Sequence, residues 1–177
     1  MALPGTLWTL GHSTRSAEEL LALLAGEHIE ALADVRRFPG SRKYPHFNAD
    51  ALARTLRAAK IAYEPFPELG GRRKPLPDSP HTAWRNDAFR GYADYMQTPE
   101  FAAGVARLSA LALAKRTAIM CSEAVWWRCH RGLIADWFKV RGVRVLHILD
   151  ARHVVEHPYT SAAHVENGEL DYRAAEA

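Results

Sequence analysis

The sequence predicts an α/β fold, a single-domain three-layer sandwich with a mostly parallel, Rossmann-like sheet of about five strands and helices on both faces. Short apolar runs alternate with stretches of helical periodicity, which is typical of a parallel sheet. The length of 177 residues fits one domain, residues 1–177, with room for a sizeable core. Apolar residues make up 48% and charged residues 24%, which excludes a disordered or fibrous chain.

The first half of the chain contains three predicted strands and two predicted helices. Ser16 and Glu19 have the spacing of a capping box, and the leucines that follow form the buried face of a helix. Asn48 is placed to cap a second helix over Ala49–Lys60. Prolines and glycines in the connecting segments indicate loops. The three strands are predicted over Leu7–Gly11, Ile29–Val35 and Ile61–Phe66.

The second half contains three more helices and two more strands. Thr98 and Pro99 are typical of a helix start, and apolar residues at helical spacing follow them. From about residue 150 a polar C-terminal extension begins, with a hairpin signal at Asn167-Gly168. The pattern does not specify the strand order. The elements are predicted over Phe89–Gln97, from Thr98 onward, over Thr117–Cys121, over Arg128–Arg141 and over Val143–Leu149.

Chemically capable residues follow four consecutive predicted strands. Ligands of open α/β sheets bind at the carboxyl ends of the strands, so these residues predict a functional site at that edge. The residues at the strand ends are His12 and Ser13; Asp34 and Arg36; Gly70 and Gly71; and Cys121 and Glu123, followed at the next helix start by Cys129, His130 and Arg131.

Cys129 is the strongest candidate for a nucleophile. A thiol near a helix N-terminus and beside Arg131 has a lowered pKa, which favours the reactive thiolate. The alternative is a small buried hydrophobic residue, which is the more favoured interpretation for Cys121. A disulfide between the two is possible in principle but is not expected in a reducing compartment.

Three further residues are candidate acid or base groups. Carboxylates among arginines at strand ends can have shifted pKa values, which makes Glu123 and Asp34 candidates, and His12 is the third. An ion pair of Asp34 with Arg36 or Arg37, and a His12 that only fixes a loop, are the alternatives.

The positive charge is concentrated in one stretch. The formal net charge is +3, but residues 36–90 hold 12 basic against 5 acidic residues. Arginines there, including Arg36 and Arg42, are interleaved with aromatic residues such as Phe38 and Tyr44, a pattern that suits phosphate contact and base stacking. The alternatives are a solvated loop and a genome-wide bias to arginine. The predicted substrate-binding residues are Ser13, Arg36, Arg42, Gly70, Gly71, His130 and Arg131.

A metal site is not predicted, because the two cysteines lack CxxC spacing and have no second pair; zinc is the weaker alternative. No cofactor is indicated. Two cysteines are too few for a disulfide scaffold, and the N-terminus lacks the features of a signal peptide. Without a membrane-length apolar run, the chain is expected to be soluble and cytoplasmic, with reduced thiols and no membrane partner.

Six motifs resemble those of the family known as domain of unknown function 488. They are LGHSTRSAEEL, ALADVRRFPGSRKYPHFN, ELGGRRKP, FRGYADYMQTPEF, IMCSEAVWWRCHR and VLHILD, which occur in family order over nearly the whole chain. The resemblance implies a compact α/β domain of a bacterial or archaeal protein, but no reaction. Its motif positions include the strand-end residues named above, with Ser41 and Arg42 in addition.

Two functions are compatible with these observations. The first is an enzyme, a hydrolase or transferase, that acts on a small anionic, phosphorylated or nucleotide-like substrate at the carboxyl edge of the sheet. The second is a non-catalytic nucleotide-binding or nucleic-acid-binding protein, which the charged and aromatic stretch suggests. A third interpretation is that the motifs only stabilise the fold. The sequence leaves the oligomeric state open.

Overall fold

A six-stranded sheet in the order β3-β2-β4-β1-β5-β6 forms the centre of the computed structural model, which describes residues 1–175. The first five strands are parallel, and β6 is antiparallel to β5 at one edge. The predicted α/β, mostly parallel, Rossmann-like class is therefore confirmed. The strands are β1 (Thr6–Gly11), β2 (Ala31–Asp34), β3 (Ala62–Pro65), β4 (Thr117–Cys121), β5 (Arg144–Ile148) and β6 (Val154–Glu156).

Helices cover both faces of the sheet and give three layers. Apolar side chains of α1 and α2 pack against one face, where Leu10 and Met120 belong to the same core cluster. Those of α4 and α5 pack against the other face with Leu7 and Ile119. Alternate residues of β1 and β4 therefore point into different cores, as the pleat requires. The helices are α1 (Ala17–Gly26), α2 (Ala49–Ala58), α3 (Asp87–Tyr95), α4 (Pro99–Ala114) and α5 (Arg131–Val140).

The helix caps agree with the sequence except at α2. Ser16 and Glu19 form the predicted capping box of α1, and Thr98 caps α4. Asn48 is at the N-cap position of α2, but its side chain makes no cap hydrogen bond. Its Oδ1 instead accepts from the backbone N–H of Ser41 at 2.5 Å. The prediction of an Asn48 side-chain cap is therefore wrong, because the loop before the helix uses that oxygen.

The structure differs from the sequence prediction at two further places, the start of α5 and strand β6. Helix α5 begins at Arg131 rather than Arg128, because Trp126–Arg128 form a 3-10 turn and Cys129 is extended at φ −138° and ψ 149°. Strand β6 was not predicted, since its three residues are all exposed and carry no buried alternation.

A hairpin of β7 (His164–Glu166) and β8 (Glu169–Asp171) turns at Asn167 and Gly168, which both have positive φ. Residues 176 and 177 of the predicted C-terminal extension lie outside the described residues. Over residues 1–175, every helix is too short or too polar to cross a bilayer.

The chain leaves β1 and β4 in opposite directions. These strands are neighbours, yet β1 leads to α1 on one face and β4 leads to α5 on the other. Such a switch point opens a crevice at the carboxyl ends of the strands, which is where open α/β sheets bind ligands.

Candidate active site

A cavity of about 630 Å³ opens at this switch point. It is lined by the segments after β1, β2 and β4, by the loop after β3 and by the residues before α5. The predicted site residues that line it are His12, Ser13, Arg36, Gly71, Glu123, Cys129 and His130, with Cys121 beside them. Four predicted residues lie outside the lining: Asp34, Arg42, Gly70 and Arg131.

Gly11 allows the ends of β1 and β4 to meet. A Cβ atom at this position would lie 1.6 Å from the backbone oxygen of Glu123, so only glycine fits. The backbone N–H groups of His12 and Ser13 donate to the carbonyls of Cys121 and Ser122, each at 2.9 Å. Together these contacts hold the two loops that carry His12 and Glu123 against each other at the cavity.

The two thiols are in direct contact on the wall of the cavity. The sulfur of Cys129 lies 2.6 Å from the sulfur of Cys121, and both residues are buried with free thiols. The backbone N–H of Arg131, in the first turn of α5, donates to Cys129 Sγ at 3.4 Å.

The pKa values of the two thiols shift in opposite directions. Burial acts to raise the pKa of Cys129, but the hydrogen bond with Cys121, the Arg131 charge and its N–H lower it overall. Burial and the contact with Cys129 raise the pKa of Cys121 well above the ordinary value. Cys129 is therefore the thiol that ionises first, and it is the candidate nucleophile.

His130 presents an unprotonated nitrogen to Cys129. Its Nε2 donates to the Val35 carbonyl at 2.9 Å, so its other nitrogen, Nδ1, is free to accept, and Nδ1 lies 3.5 Å from Cys129 Sγ. Burial lowers the pKa of His130, which favours this neutral form. Cys129 and His130 are adjacent in the sequence, yet their side chains face each other, because Cys129 is extended and precedes the helix.

Gly71 leaves space for the His130 ring. A Cβ atom at Gly71 would lie 2.9 Å from His130 Nδ1, the nitrogen that faces the thiol. Gly70 has a related packing role, since a Cβ there would lie 2.6 Å from the Cα of Arg37. The Gly-Gly pair therefore brings the loop after β3 close to the thiols, and only Gly71 lines the cavity.

Arg131 lies behind the thiols rather than in the cavity. Its side chain is only 1% exposed. Its Nη1 donates to Cys121 Sγ at 2.7 Å and to the Glu123 carbonyl at 2.9 Å, and its Nε donates to Thr9 Oγ1 at 3.1 Å. Arg131 therefore places a positive charge beside the sulfur atoms and holds the Glu123 loop, while its own contacts are with protein atoms.

A buried chain of hydrogen bonds links Arg131 to Asp136. Thr9 Oγ1 lies 2.5 Å from His147 Nδ1, and His147 Nε2 lies 2.8 Å from His157 Nδ1. His157 Nε2 lies 2.7 Å from Asp136 Oδ1. Arg131 Nε donates to Thr9 Oγ1 at one end of this chain, and the Asp136 carboxylate accepts from His157 Nε2 at the other. Burial, with the nearby His157 and Arg131, lowers the pKa of His147 to about 2.

Asp34 holds Arg36 at the wall of the cavity. The Arg36 Nε and Nη2 donate to the two carboxylate oxygens of Asp34 at 2.9 and 2.7 Å, and Tyr63 Oη donates to Asp34 at 2.6 Å. Asp34 is 1% exposed and does not line the cavity. These contacts agree with the alternative in which Asp34 forms an ion pair with Arg36. The candidate role of Asp34 in the site is therefore to position Arg36.

His12 lies between Arg36 and the β1 loop. Its Nδ1 donates to the Ser13 carbonyl at 2.9 Å, so Nε2 is the accepting nitrogen, and Nε2 lies 3.4 Å from Arg36 Nη1. Burial is the main cause that lowers the pKa of His12, although the Ser13 hydrogen bond opposes it. Neutral His12 thus has an accepting nitrogen at the cavity.

Sequence reasoning missed part of the positive rim. Arg37 lines the cavity with Arg36, and so do Arg72 and Arg128, two exposed arginines that were not selected as site residues. Of the described lining residues, four are arginines and one, the exposed Glu123, is a carboxylate. The signal was available, because Arg72 follows Gly70-Gly71 and Arg128 directly precedes Cys129. The exposed Arg42, by contrast, lies away from the lining.

Aromatic side chains form another part of the wall. Phe38, 64% exposed, and Phe89 and Tyr44 line the cavity, and the Arg37 guanidinium lies 5.3 Å from the Phe38 ring centre. Trp126 instead stacks on His147 with ring centres 4.9 Å apart, so it covers the buried chain. Within residues 1–175, no three His, Cys, Asp or Glu side chains are arranged to hold a metal ion.

Residues 16–138 match the family model described as "Domain of unknown function DUF488". The match spans well over half of the chain, so the chain belongs to this family. No curated protein and no solved structure gave a match.

Proposed function

We propose that this member of the DUF488 family is a hydrolase or transferase that acts on a small anionic, phosphorylated or nucleotide-like substrate, with Cys129 as nucleophile. One observation carries the proposal: the Cys129 sulfur is at an arginine-lined cavity, with His130 Nδ1 3.5 Å away and Arg131 N–H donating to it. A thiol in that setting is an activated nucleophile. A cytoplasmic location, where thiols stay reduced, belongs to the same proposal.

The charge of the wall supports an anionic substrate. Arg36, Arg37, Arg72 and Arg128 line the cavity, and Glu123 is the one carboxylate among its described lining residues. Guanidinium groups bind phosphate through paired, charge-assisted hydrogen bonds. The start of α5 adds its positive dipole end on the same side as Cys129.

The proposed reaction begins with attack of the Cys129 thiolate on the phosphorus of a bound phosphoryl group. His130 Nδ1 accepts the proton of the thiol. A bond forms between Sγ and phosphorus, and the bond from phosphorus to the leaving oxygen breaks. The leaving oxygen takes the proton held by His130.

A second displacement releases the phosphoryl group. Water, or the hydroxyl of an acceptor, attacks phosphorus, and the bond to Sγ breaks. Glu123, exposed at the cavity, accepts the proton of the attacking group. The Cys129 thiolate is restored, so one substrate and one water or acceptor are consumed per cycle. Arg36, held by Asp34, stabilises the charge on the transferred group.

The aromatic wall supports a second candidate, a non-catalytic nucleotide-binding or nucleic-acid-binding function. Exposed Phe38, with Arg37 near its ring, has the chemistry of a base-stacking surface. Such a protein would bind nucleotides or oligonucleotides with an affinity that falls steeply with salt and would not turn them over.

The experiment compares turnover of a panel of nucleoside phosphates, sugar phosphates and p-nitrophenyl phosphate by the purified chain and three variants. Cys129→Ser is expected to lower the rate at least about 100-fold, and Glu123→Gln about 10-fold or more. Arg57→Ala, an exposed arginine at the far end of α2, is the control and keeps the rate. Equal rates for Cys129→Ser and the unmodified chain would overturn the assignment. Salt-dependent binding without turnover of any compound would favour the second candidate.

A further inference from the structure

We propose that Cys121 and Cys129 are a redox pair that reduces hydroperoxides, with Cys129 as the attacking thiol and Cys121 as the resolving thiol. This activity does not rest on the phosphorylated substrate proposed above. It needs two thiols in contact and a path for a small oxidant, and both are found at the cavity.

The positions of the two sulfur atoms carry the inference. They lie 2.6 Å apart, with Cys121 at the end of β4 and Cys129 before α5. A disulfide bond is about 2.05 Å long, so only a small displacement separates contact from a bond. The backbone at both residues is held by hydrogen bonds, from His12 N–H to the Cys121 carbonyl and from Cys129 N–H to the Trp126 carbonyl. The fold therefore holds the two sulfur atoms in position to form a disulfide bond with each other.

The surroundings assign different roles to the two thiols. Cys129 is 6% exposed at the cavity, receives the Arg131 N–H and faces His130 Nδ1, so it is the thiol that ionises and meets the oxidant. Cys121 is 2% exposed and has Arg131 Nη1 at 2.7 Å. That guanidinium stabilises the negative charge on Cys121 in the second step, when Cys121 attacks the oxidised Cys129.

The chemistry balances with a hydroperoxide as oxidant. Cys129 gives its proton to His130 Nδ1, and the thiolate attacks the terminal peroxide oxygen. A sulfur–oxygen bond forms, the oxygen–oxygen bond breaks, and the alcohol or water leaves with the proton that His130 held. This gives a sulfenic acid on Cys129. The Cys121 sulfur, losing its proton, then attacks Cys129 Sγ; the disulfide forms and the sulfenic oxygen leaves as water. Two thiols supply two electrons, and an added dithiol returns the pair to the reduced state.

The test treats the reduced chain with hydrogen peroxide and, separately, with cumene hydroperoxide, in the absence of any phosphorylated compound. Because the chain has two cysteines in total, loss of both thiols and a mass decrease of two hydrogen atoms report an intramolecular disulfide directly. The thiols are expected to be lost at least about 10-fold faster than that of free cysteine. Dithiothreitol restores both.

Two variants separate the roles, with folding verified by circular dichroism. Cys121→Ser is expected to accumulate a sulfenic acid on Cys129 that dimedone traps, whereas Cys129→Ser is expected to react no faster than free cysteine. The proposal is overturned if the thiols of the unmodified chain react no faster than free cysteine, or if the disulfide joins two chains. It is also overturned if Cys121→Ser gives no adduct on Cys129. Since no phosphorylated substrate is present, this outcome is independent of the turnover experiment.

Discussion

Arg131 and Asp136 are on the same helix, but their charges are joined through three side chains that lie outside it. The chain of hydrogen bonds runs from Arg131 through Thr9, His147 and His157 to Asp136. Asp136 also accepts from Thr160 and Tyr172, so a fully buried carboxylate is well hydrogen-bonded. The positive charge beside the thiols is therefore connected, through hydrogen bonds, to a buried carboxylate of the same helix.

Asp136→Asn is expected to destabilise the fold strongly, because it removes a fully buried carboxylate that accepts from His157, Thr160 and Tyr172. Removing one partner of a buried charge pair costs about 3–5 kcal/mol of unfolding free energy. Urea denaturation measures the change. Asp78→Asn, at an exposed loop position, is the control and is expected to stay within about 0.5 kcal/mol. Equal losses for the two variants would contradict the role of the chain.

Acidification is expected to destabilise the fold because of His147. Its pKa is about 2 in the folded state against 6.5 in the unfolded state, so the unfolded chain binds the extra proton between these values. The stability contribution is complete above pH 6.5 and is lost as the pH falls toward 2, with a slope approaching about 1.4 kcal/mol per pH unit. Urea denaturation at several pH values between 7 and 4.5 measures the slope. His147→Asn is expected to flatten it, and an unchanged slope in that variant would sink the explanation.

The pair of Asp34 and Arg36 is expected to behave as a coupled unit with Tyr63. Asp34→Ala leaves a buried guanidinium without its partner and removes the acceptor of Tyr63 Oη, and it is expected to cost about 3 kcal/mol. Tyr63→Phe removes one hydrogen bond and is expected to cost about 1 kcal/mol. A double-mutant cycle on unfolding free energies measures the coupling. Because both changes remove the same Tyr63–Asp34 bond, the combined cost is expected to be less than the sum, and strict additivity would argue against the contact.

Gly11→Ala is expected to displace the loop that carries Glu123. The added methyl group would overlap the Glu123 carbonyl, and such overpacking typically costs about 1–3 kcal/mol. Gly26→Ala is a matched control at the end of α1, where a Cβ meets no atom within 4 Å. That change is expected to be neutral or slightly stabilising. Thermal unfolding of the two variants measures the difference, and equal melting temperatures would contradict the close approach.

Local patterns were sufficient to predict the five parallel strands and the edge of the sheet that carries the site. Short, fully buried runs such as Thr117–Cys121 are typical of the central strands of a parallel sheet. Parallel strands bring their carboxyl ends to one edge, so His12, Glu123 and Cys129 could be expected to meet. Strand β6 could not be predicted in this way, because its short exposed sequence gains its pairing only from the neighbouring β5.

The internal partners of the site could not be predicted, because they depend on tertiary contacts. His147 lies in β5, and His157 directly follows β6. Nothing in the sequence distinguishes either histidine from an ordinary polar residue. Whether Arg131 points into the cavity or behind it depends on the extended backbone of Cys129, which shifts the helix start by three residues. The same shift brings Cys129 and His130 into contact, which a continuous helix would have kept apart.

The most direct test of an anion-binding cavity with a reactive Cys129 is the rate of Cys129 alkylation by iodoacetamide, measured by peptide mapping with and without ADP or pyrophosphate. Cys129 is expected to react before Cys121, because its pKa is lowered while that of Cys121 is raised. A bound anion is expected to slow the alkylation at least about threefold. Arg128→Ala is expected to weaken this protection, and Arg57→Ala is expected to keep it. A rate that neither ligand changes, or preferential alkylation of Cys121, would contradict the proposed site.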